Sequence, residues 1–246
     1  MNDCENPAGT KQLKADRPVG VKEFFQLVGK DFFNYYLTSI NIFNQVKDKI
    51  MNYKMKVGIL LFNEVEVLDF AGPFEVFSIA AKDNKKKFEV ITVGQTGEII
   101  STRNGLKILP TTKFSDNIAF DFLIIPGGYG AEEIEIKNQV VIDWIKEQQL
   151  KVKMLASVCT GALLLAEAGI LDGKKATTHW MDLDRLENEY PKVEVIRNVK
   201  FVDEGDVLTS AGISAGINMS FYIVKKLLGA DVAISTARRM EYDIDL

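Results

Sequence analysis

The chain has 246 residues, 47% of them hydrophobic, so its composition allows one substantial buried core. A formal net charge of −4 leaves no excess of basic residues, and nucleic acid is therefore not expected as a partner. With 2 cysteines, 1 histidine and no apolar run near the roughly 18 residues that cross a bilayer, the chain predicts no disulfide framework, metal site or integral membrane span.

Residues 1–54 differ in composition from the rest and are predicted to form an N-terminal extension of a domain at 55–246. The polar stretch 1–19 lacks the basic-then-apolar order of a secretory signal, so we expect a cytoplasmic protein. Between residues 21 and 50, apolar side chains recur every three or four positions, which predicts an amphipathic helix. These side chains are Phe24, Phe25, Leu27, Val28, Phe32, Tyr35, Tyr36, Ile40, Phe43 and Val46.

Three interpretations of this helix stay open. It docks on its own domain or on a sister subunit, which is what apolar spacing of this kind usually indicates. Alternatively it contacts a membrane surface, although Glu23, Asp31 and Asp48 dilute the cationic face that anionic lipid selects. In the third interpretation, translation begins at Met55 and the extension is absent.

From Met55 onward, apolar strands alternate with amphipathic helices, the pattern of βαβ units around a mainly parallel sheet. The predicted strands occupy residues 56–62, 88–93, 122–125, 152–158, 193–196, 200–202 and 206–209. The predicted helices occupy residues 76–81, 138–149, 161–168, 215–228 and 231–239. The fold class is therefore α/β, a three-layer sandwich.

Cys159 stands where an apolar strand ends and a helix of small residues begins. A thiol at this junction experiences the positive end of the helix dipole, which predicts a lowered pKa and a reactive thiolate. The arrangement is similar to the nucleophile elbow of hydrolases, although the residues are not those of that motif. The alternative is a small buried filler, but Thr160 and Gly161 favour a turn.

Two other predicted strands also end in residues suited to a site, and carboxyl ends of parallel strands meet at one sheet edge. After residues 122–125, the sequence Pro126-Gly127-Gly128 predicts a sharp turn with free backbone N–H groups, as an oxyanion site requires. After the first strand comes Asp69, a candidate general acid or base. Its alternative role is an N-cap for a helix entered through Pro73.

The only histidine and a late small-residue turn complete the candidates. His179 follows the cysteine at a distance that permits a Cys/His pair, and a structural role is the alternative. The turn at residues 210–217 leads into a helix carrying Asn218, and close packing of that helix on the sheet is the simpler interpretation.

These segments together resemble the DJ-1/PfpI superfamily, which has the class I glutamine-amidotransferase-like, flavodoxin-like fold. Within it, the chain looks most like the isonitrile hydratase branch, also called cyclohexyl-isocyanide hydratase, and nearly as much like the amidase-type domain of some AraC-family regulators. Because Leu246 soon follows the last predicted helix, no helix-turn-helix module is expected. The matching segments are GILLF (58–62), LDFAGPFEVF (68–77), DFLIIPGG (121–128), SVCTGALLLA (157–166), GKKATTHW (173–180) and AGISAGI (211–217).

The resemblance implies a nucleophilic thiolate at Cys159, an acidic partner at Asp69, a hydroxyl at Thr160 and an N–H donor at Gly128. It implies that the thiolate attacks the isonitrile carbon, that the acid supplies a proton and that water releases an N-substituted formamide without a cofactor. It also implies a homodimer that acts on a small molecule.

The resemblance leaves other activities open. Hydratase-like relatives commonly carry Gly-Ile-Asp where this chain has Gly216-Ile217-Asn218, and an asparagine cannot transfer a proton at neutral pH. Glyoxalase-like, deglycase-like and peptidase activities therefore remain alternatives, and several of those relatives keep a histidine where His179 stands. A redox or stress sensor using the same thiol, or a ligand-binding regulator, is the non-catalytic alternative.

Overall fold

The computed structural model describes residues 29, 34–35, 37–45 and 53–244, and the chain divides into two compact units, Met1–Met51 and Asn52–Leu246. In the first unit, every described position is helical, as the apolar spacing predicts. The other positions of the predicted extension lie outside the described residues. No helix in the described part of the chain combines the length and apolarity needed to cross a membrane.

The second unit is built on a 7-stranded sheet with the order β12-β13-β9-β8-β1-β4-β7, and three 2-stranded sheets flank it. Neighbouring strands of the large sheet run parallel, except for the antiparallel pair at its β12 edge. The strands are β1 (Met55–Leu61), β2 (Ala81–Lys82), β3 (Lys85–Lys86), β4 (Phe88–Gly94), β5 (Ile100–Ser101), β6 (Lys107–Ile108), β7 (Thr112–Lys113), β8 (Phe122–Ile125), β9 (Met154–Val158), β10 (Lys175–Ala176), β11 (Glu194–Val195), β12 (Phe201–Asp203) and β13 (Val207–Ser210).

Helices cover both faces of the large sheet, and this α/β sandwich confirms the predicted fold class. The helices are α1 (Val67–Ile79), α2 (Gln139–Gln149), α3 (Gly161–Glu167), α4 (Leu183–Glu189), α5 (Ala215–Leu228) and α6 (Ala230–Arg239). On one face α1 and α6 pack against α5, while α2 and α3 pack together on the other. A π-helical turn, Gly130–Ile134, follows β8 on the side of α3.

The central strands are apolar throughout because both of their faces are covered. Every residue of β8 and β9 is buried, as are the last five residues of β1. On one side, Gly216 of α5 lies against Val158, where an added Cβ would come within 2.7 Å of a valine methyl group. This small residue in the first turn of α5 therefore allows close packing of that helix on the sheet.

The first helix differs most from its prediction, since it begins at Val67 and contains Pro73, whereas the sequence predicted a helix at 76–81 entered through this proline. Pro73 removes one backbone hydrogen bond, but its helix buries Phe70, Val76 and Phe77 in the core. Asp69 therefore lies in the first turn of the helix and is not its N-cap, which is Glu66.

Candidate functional site

Cys159 occupies a strained elbow between β9 and α3. Its φ of 55° lies in the left-handed region, which is uncommon for residues other than glycine. The elbow is fixed by its neighbours, because the Cys159 N–H donates to the carbonyls of Ser210 (3.2 Å) and Ala211 (3.3 Å). The Thr178 hydroxyl donates to the Cys159 carbonyl at 2.8 Å. These bonds hold the thiol at the carboxyl edge of the sheet.

The Cys159 side chain is almost fully buried, and two backbone N–H groups point to its sulfur. The residue is 5% exposed, and the N–H groups of Thr160 and Ile213 donate to its sulfur. Ile213 also has a left-handed backbone, with φ at 48°, which is costly for a β-branched residue. Two strained residues therefore meet at one sulfur, an arrangement typical of functional sites.

Asp69 lies beside this thiol and is fully buried. Its Oδ2 accepts a hydrogen bond from the Gly127 N–H at 3.0 Å, whereas Oδ1 has no hydrogen-bond partner among the described residues. Burial raises the pKa of Asp69 to about 7, and the charge of Glu66 adds to the rise, against the lowering effects of the Gly127 N–H and the thiol. The carboxyl can therefore hold or release a proton near neutral pH.

The thiol itself differs from the sequence-based expectation of a lowered pKa. Burial raises the pKa of Cys159, and the charge of Asp69 raises it further, which outweighs the N–H donors of Thr160 and Ile213. The coupling has two signs, because the neutral thiol favours ionisation of Asp69 whereas the charge of Asp69 opposes ionisation of Cys159. A thiolate forms most readily when the carboxyl carries the proton.

Gly128 and Thr160 form a second contact between the turns that follow β8 and β9. The Gly128 N–H donates to the Thr160 hydroxyl oxygen at 2.9 Å. The expected free N–H donor is therefore already paired in the structure, since Thr160 is buried against it. The Thr160 side chain thus joins the two turns, while the backbone N–H of Thr160 donates to the Cys159 sulfur.

A pocket of about 550 Å³, called here the Cys159 pocket, opens over the elbow. Cys159, Gly128 and His179 line it, while Asp69 and Thr160 lie behind its wall. The His179 Nδ1 atom is 3.6 Å from Asp182 Oδ2, and the imidazole covers Gly212. Asn218, half-buried in the first turn of α5, is not among the described residues that line the pocket.

Further charged residues line the same pocket, and sequence reasoning did not select them as site residues. Glu66 and Arg103 face each other at 4.0 Å, and Glu132 and Asp182 also border the cavity. The charge of Glu132 raises the pKa of both Asp69 and Cys159. Glu66 and Glu132 follow β1 and β8, the kind of position that could have suggested them. Arg103 comes from a loop that backbone hydrogen bonds bring here, from the Arg103 N–H to the Val65 carbonyl and from the Glu64 N–H to the Ser101 carbonyl.

Comparison with proteins of known sequence shows which family this chain resembles. The DJ-1/PfpI family matches residues 55–226 of the chain. An isonitrile hydratase of Pseudomonas putida is 33% identical over 189 residues, which cover 76% of this chain and 78% of that protein. The HTH-type transcriptional regulator CdhR of Pseudomonas aeruginosa is 24% identical over 73% of the chain, which spans only 53% of the regulator.

Solved structures show the same architecture. A ThiJ/PfpI family protein from Pseudomonas syringae superposes with a TM-score of 0.67 at 25% identity, covering 78% of this chain and 77% of that one. Drosophila melanogaster DJ-1beta gives a TM-score of 0.69 at 21% identity over 78% of this chain and all of its own, and shows the fold alone. With the buried cysteine at its elbow and the match over residues 55–226, the chain belongs to the DJ-1/PfpI family.

Proposed function

We propose that the protein is a cofactor-free lyase that hydrates an isonitrile to an N-substituted formamide through Cys159. The observation that carries this proposal is the pairing of Cys159, which lines a pocket of about 550 Å³, with Asp69, which is buried beside the thiol behind the pocket wall. The 33% identity to an isonitrile hydratase supports the choice of reaction. We also expect a homodimer that works in the cytoplasm.

The first step adds the thiol across the terminal isonitrile carbon. Asp69 takes the proton of Cys159, the thiolate attacks the carbon, and Asp69 returns the proton to that same carbon. The product is a thioformimidate, in which the carbon is bonded to sulfur and hydrogen and doubly bonded to nitrogen. This transfer needs a carboxyl that can both take up and release a proton at neutral pH. Burial provides one, because it raises the pKa of Asp69 to about 7.

The second step releases the formamide. Water attacks the thioformimidate carbon, and Asp69 takes a proton from the water and passes one to the nitrogen. The carbon–sulfur bond of the tetrahedral adduct then breaks as the hydroxyl becomes a carbonyl, and its proton returns to the sulfur through Asp69. The sum is one isonitrile plus one water giving one formamide, with the free thiol regenerated.

The other residues around the thiol stabilise charge or hold the site in place. The N–H groups of Thr160 and Ile213 stabilise negative charge on the sulfur, both before attack and during its departure. Gly128 and Thr160 keep the two turns in register, and His179 borders the space that receives the nitrogen substituent. Asn218 is given no direct part in the reaction, since it is not among the described residues that line the pocket and an amide cannot transfer the proton.

Formation of N-cyclohexylformamide from cyclohexyl isocyanide tests the proposal. We expect Cys159→Ala to abolish turnover, and Asp69→Asn to lower kcat by about 100-fold or more, because proton transfer is lost. Cys4→Ala, which changes the other cysteine of the chain, is the matched control and should retain full activity. Mass spectrometry of the wild type, quenched during turnover, should also detect the thioformimidate on Cys159.

Two results would contradict isonitrile hydration. Formamide production that persists in Cys159→Ala would remove the thiol from the reaction. A wild-type protein that forms no formamide but converts an α-dicarbonyl to a hydroxy acid would instead place the chain with the glyoxalase-like members of its family.

A further inference from the structure

A second pocket, of about 280 Å³, lies at the carboxyl ends of β1 and β4 and is called here the β4 pocket. None of its lining residues lines the Cys159 pocket. Its polar wall consists of Asn63, Gln95, Thr96, Glu98 and Glu135, and aromatic and aliphatic side chains form the remainder. Carboxyl ends of parallel strands are where open α/β sheets bind ligands, so the position itself suits a small molecule.

Glu135 is the unusual residue of this pocket because it is a buried acidic residue with no cation beside it among the described residues. The residue is 7% exposed, and burial raises the pKa of its carboxyl. Its Oε2 accepts one hydrogen bond, at 2.8 Å, from the amide of Asn138. Glu135 Oε1 accepts no hydrogen bond from the described residues, and it is not completely shielded from solvent. It therefore remains open to a ligand in the pocket.

The Asn138 amide, which binds the other oxygen of this carboxyl, has no further hydrogen to offer to Oε1. The Asn138 amide nitrogen already donates to both Glu135 Oε2 and Gln95 Oε1, the latter at 2.9 Å. Both of its hydrogens are thereby used. A ligand with an N–H group would satisfy the remaining carboxyl oxygen, and a positively charged one would also offset the burial of the carboxylate.

The other lining residues favour a cation over an anion. Glu98 contributes a second carboxylate, and no lysine or arginine is among the lining residues that the structure describes. Lys113, next to the pocket, places the aliphatic part of its side chain against Gly97. Phe62 and Phe114 add aromatic rings, which attract cations as well as apolar groups.

From these contacts we propose that the β4 pocket binds a small primary ammonium ion, with Glu135 as its counter-ion. Its alkyl group lies against the apolar wall, and its N–H groups reach Glu135 and the polar side chains of the turn after β4. The site is independent of the chemistry at Cys159, and its ligand is either a regulator or a second small molecule that the protein carries.

Amide chemical shifts of Gly94, Thr96 and Gly97 provide the test, with isobutylammonium, isobutanol and isobutyrate as three probes of similar shape. We expect saturable shifts at these amides with isobutylammonium, and at least ten-fold weaker binding of the other two probes. Glu135→Gln keeps the acceptor for Asn138 but removes the charge, and should weaken isobutylammonium binding about ten-fold or more.

Matched variants separate this result from a general effect. Glu98→Gln, at an exposed position where folding is not at risk, should weaken binding about two- to five-fold, as expected for a partly screened charge. Glu89→Gln, exposed near the opposite end of β4, should leave it unchanged. Cys159→Ala should also bind normally, since the Cys159 pocket is separate. Equal binding of all three probes, or unchanged binding in both Glu135→Gln and Glu98→Gln, would overturn the proposal.

Discussion

Asp69 shows how burial changes the acidity of one side chain and thereby ties stability to pH. Its pKa rises from the ordinary 3.8 to about 7, mainly by burial, so the folded state binds the proton more tightly than the unfolded state does. Protonated Asp69 therefore favours folding below about pH 4, and this contribution is lost as the pH rises through about 7.

We predict that Asp69→Asn removes this dependence. Between pH 4 and pH 8, the free energy of unfolding of the wild type should fall by up to about 4 kcal/mol relative to the variant. Urea unfolding at several pH values measures the difference, and Asp231→Asn, exposed at the start of α6, is the control that should follow the wild type. Parallel curves for Asp69→Asn and wild type would show that the carboxyl is not desolvated in solution.

The elbow between β9 and α3 depends on close contact between two backbone turns. Gly161 begins α3 directly under the end of β8, where an added Cβ would lie 2.1 Å from the Ile125 carbonyl oxygen and 2.8 Å from that of Pro126. No side-chain rotation relieves contacts with backbone atoms. A larger residue must therefore move the helix start, and with it Cys159 and Thr160.

We predict that Gly161→Ala destabilises the fold by about 3 kcal/mol and lowers turnover as well. Gly173→Ala is the matched control, because its φ of 74° adds strain but nothing lies within 4 Å of the new methyl group. It should destabilise by about 1 kcal/mol and leave turnover unchanged. Equal effects of the two substitutions, measured by chemical unfolding and formamide formation, would mean that the contacts of the new methyl group with the Ile125 and Pro126 carbonyls do not displace the start of α3.

At the scale of the molecule, the unit Asn52–Leu246 has a core of its own. The buried hydrophobic residues of the described chain, except Ala215, form one contiguous cluster that runs from Val57 to Ala237. Tyr53 adds a polar contact near the N-terminal end of this unit, since the Tyr53 hydroxyl donates to Asp121 Oδ2 at 2.7 Å. Asp121 also accepts from Lys153, at 2.8 Å, and its pKa is lowered by these bonds against the effect of burial.

We therefore predict that a chain lacking residues 1–51 keeps the stability of this unit to within about 0.5 kcal/mol. The same protein also tests the role of the amphipathic helix, because analytical ultracentrifugation will show whether its oligomeric state changes. A loss of more than about 1 kcal/mol would mean that the helix packs on the domain. A change from dimer to monomer with unchanged stability would assign the helix to contact with a sister subunit.

The sequence by itself determined the α/β class and most of the elements. Apolar runs mark β8 and β9 because strands covered on both faces need no polar residues, and α5 has the predicted limits because small residues precede it. The elbow at Cys159 was predictable from a turn-forming pair after an apolar strand. The paired strand β7 and helix α4 were missed, since the former has 2 residues and the latter buries only Leu186.

Only the tertiary structure decided the chemistry of the site. The sequence placed Cys159 at a helix start and predicted a lowered pKa, whereas burial and the charge of Asp69 raise it. The sequence left the role of Asp69 open between helix capping and catalysis. The fold places its carboxyl against the Gly127 N–H and beside the thiol. Strand and helix patterns depend on neighbours along the chain, but proton affinity depends on solvent exclusion and charge in three dimensions, which local sequence does not specify.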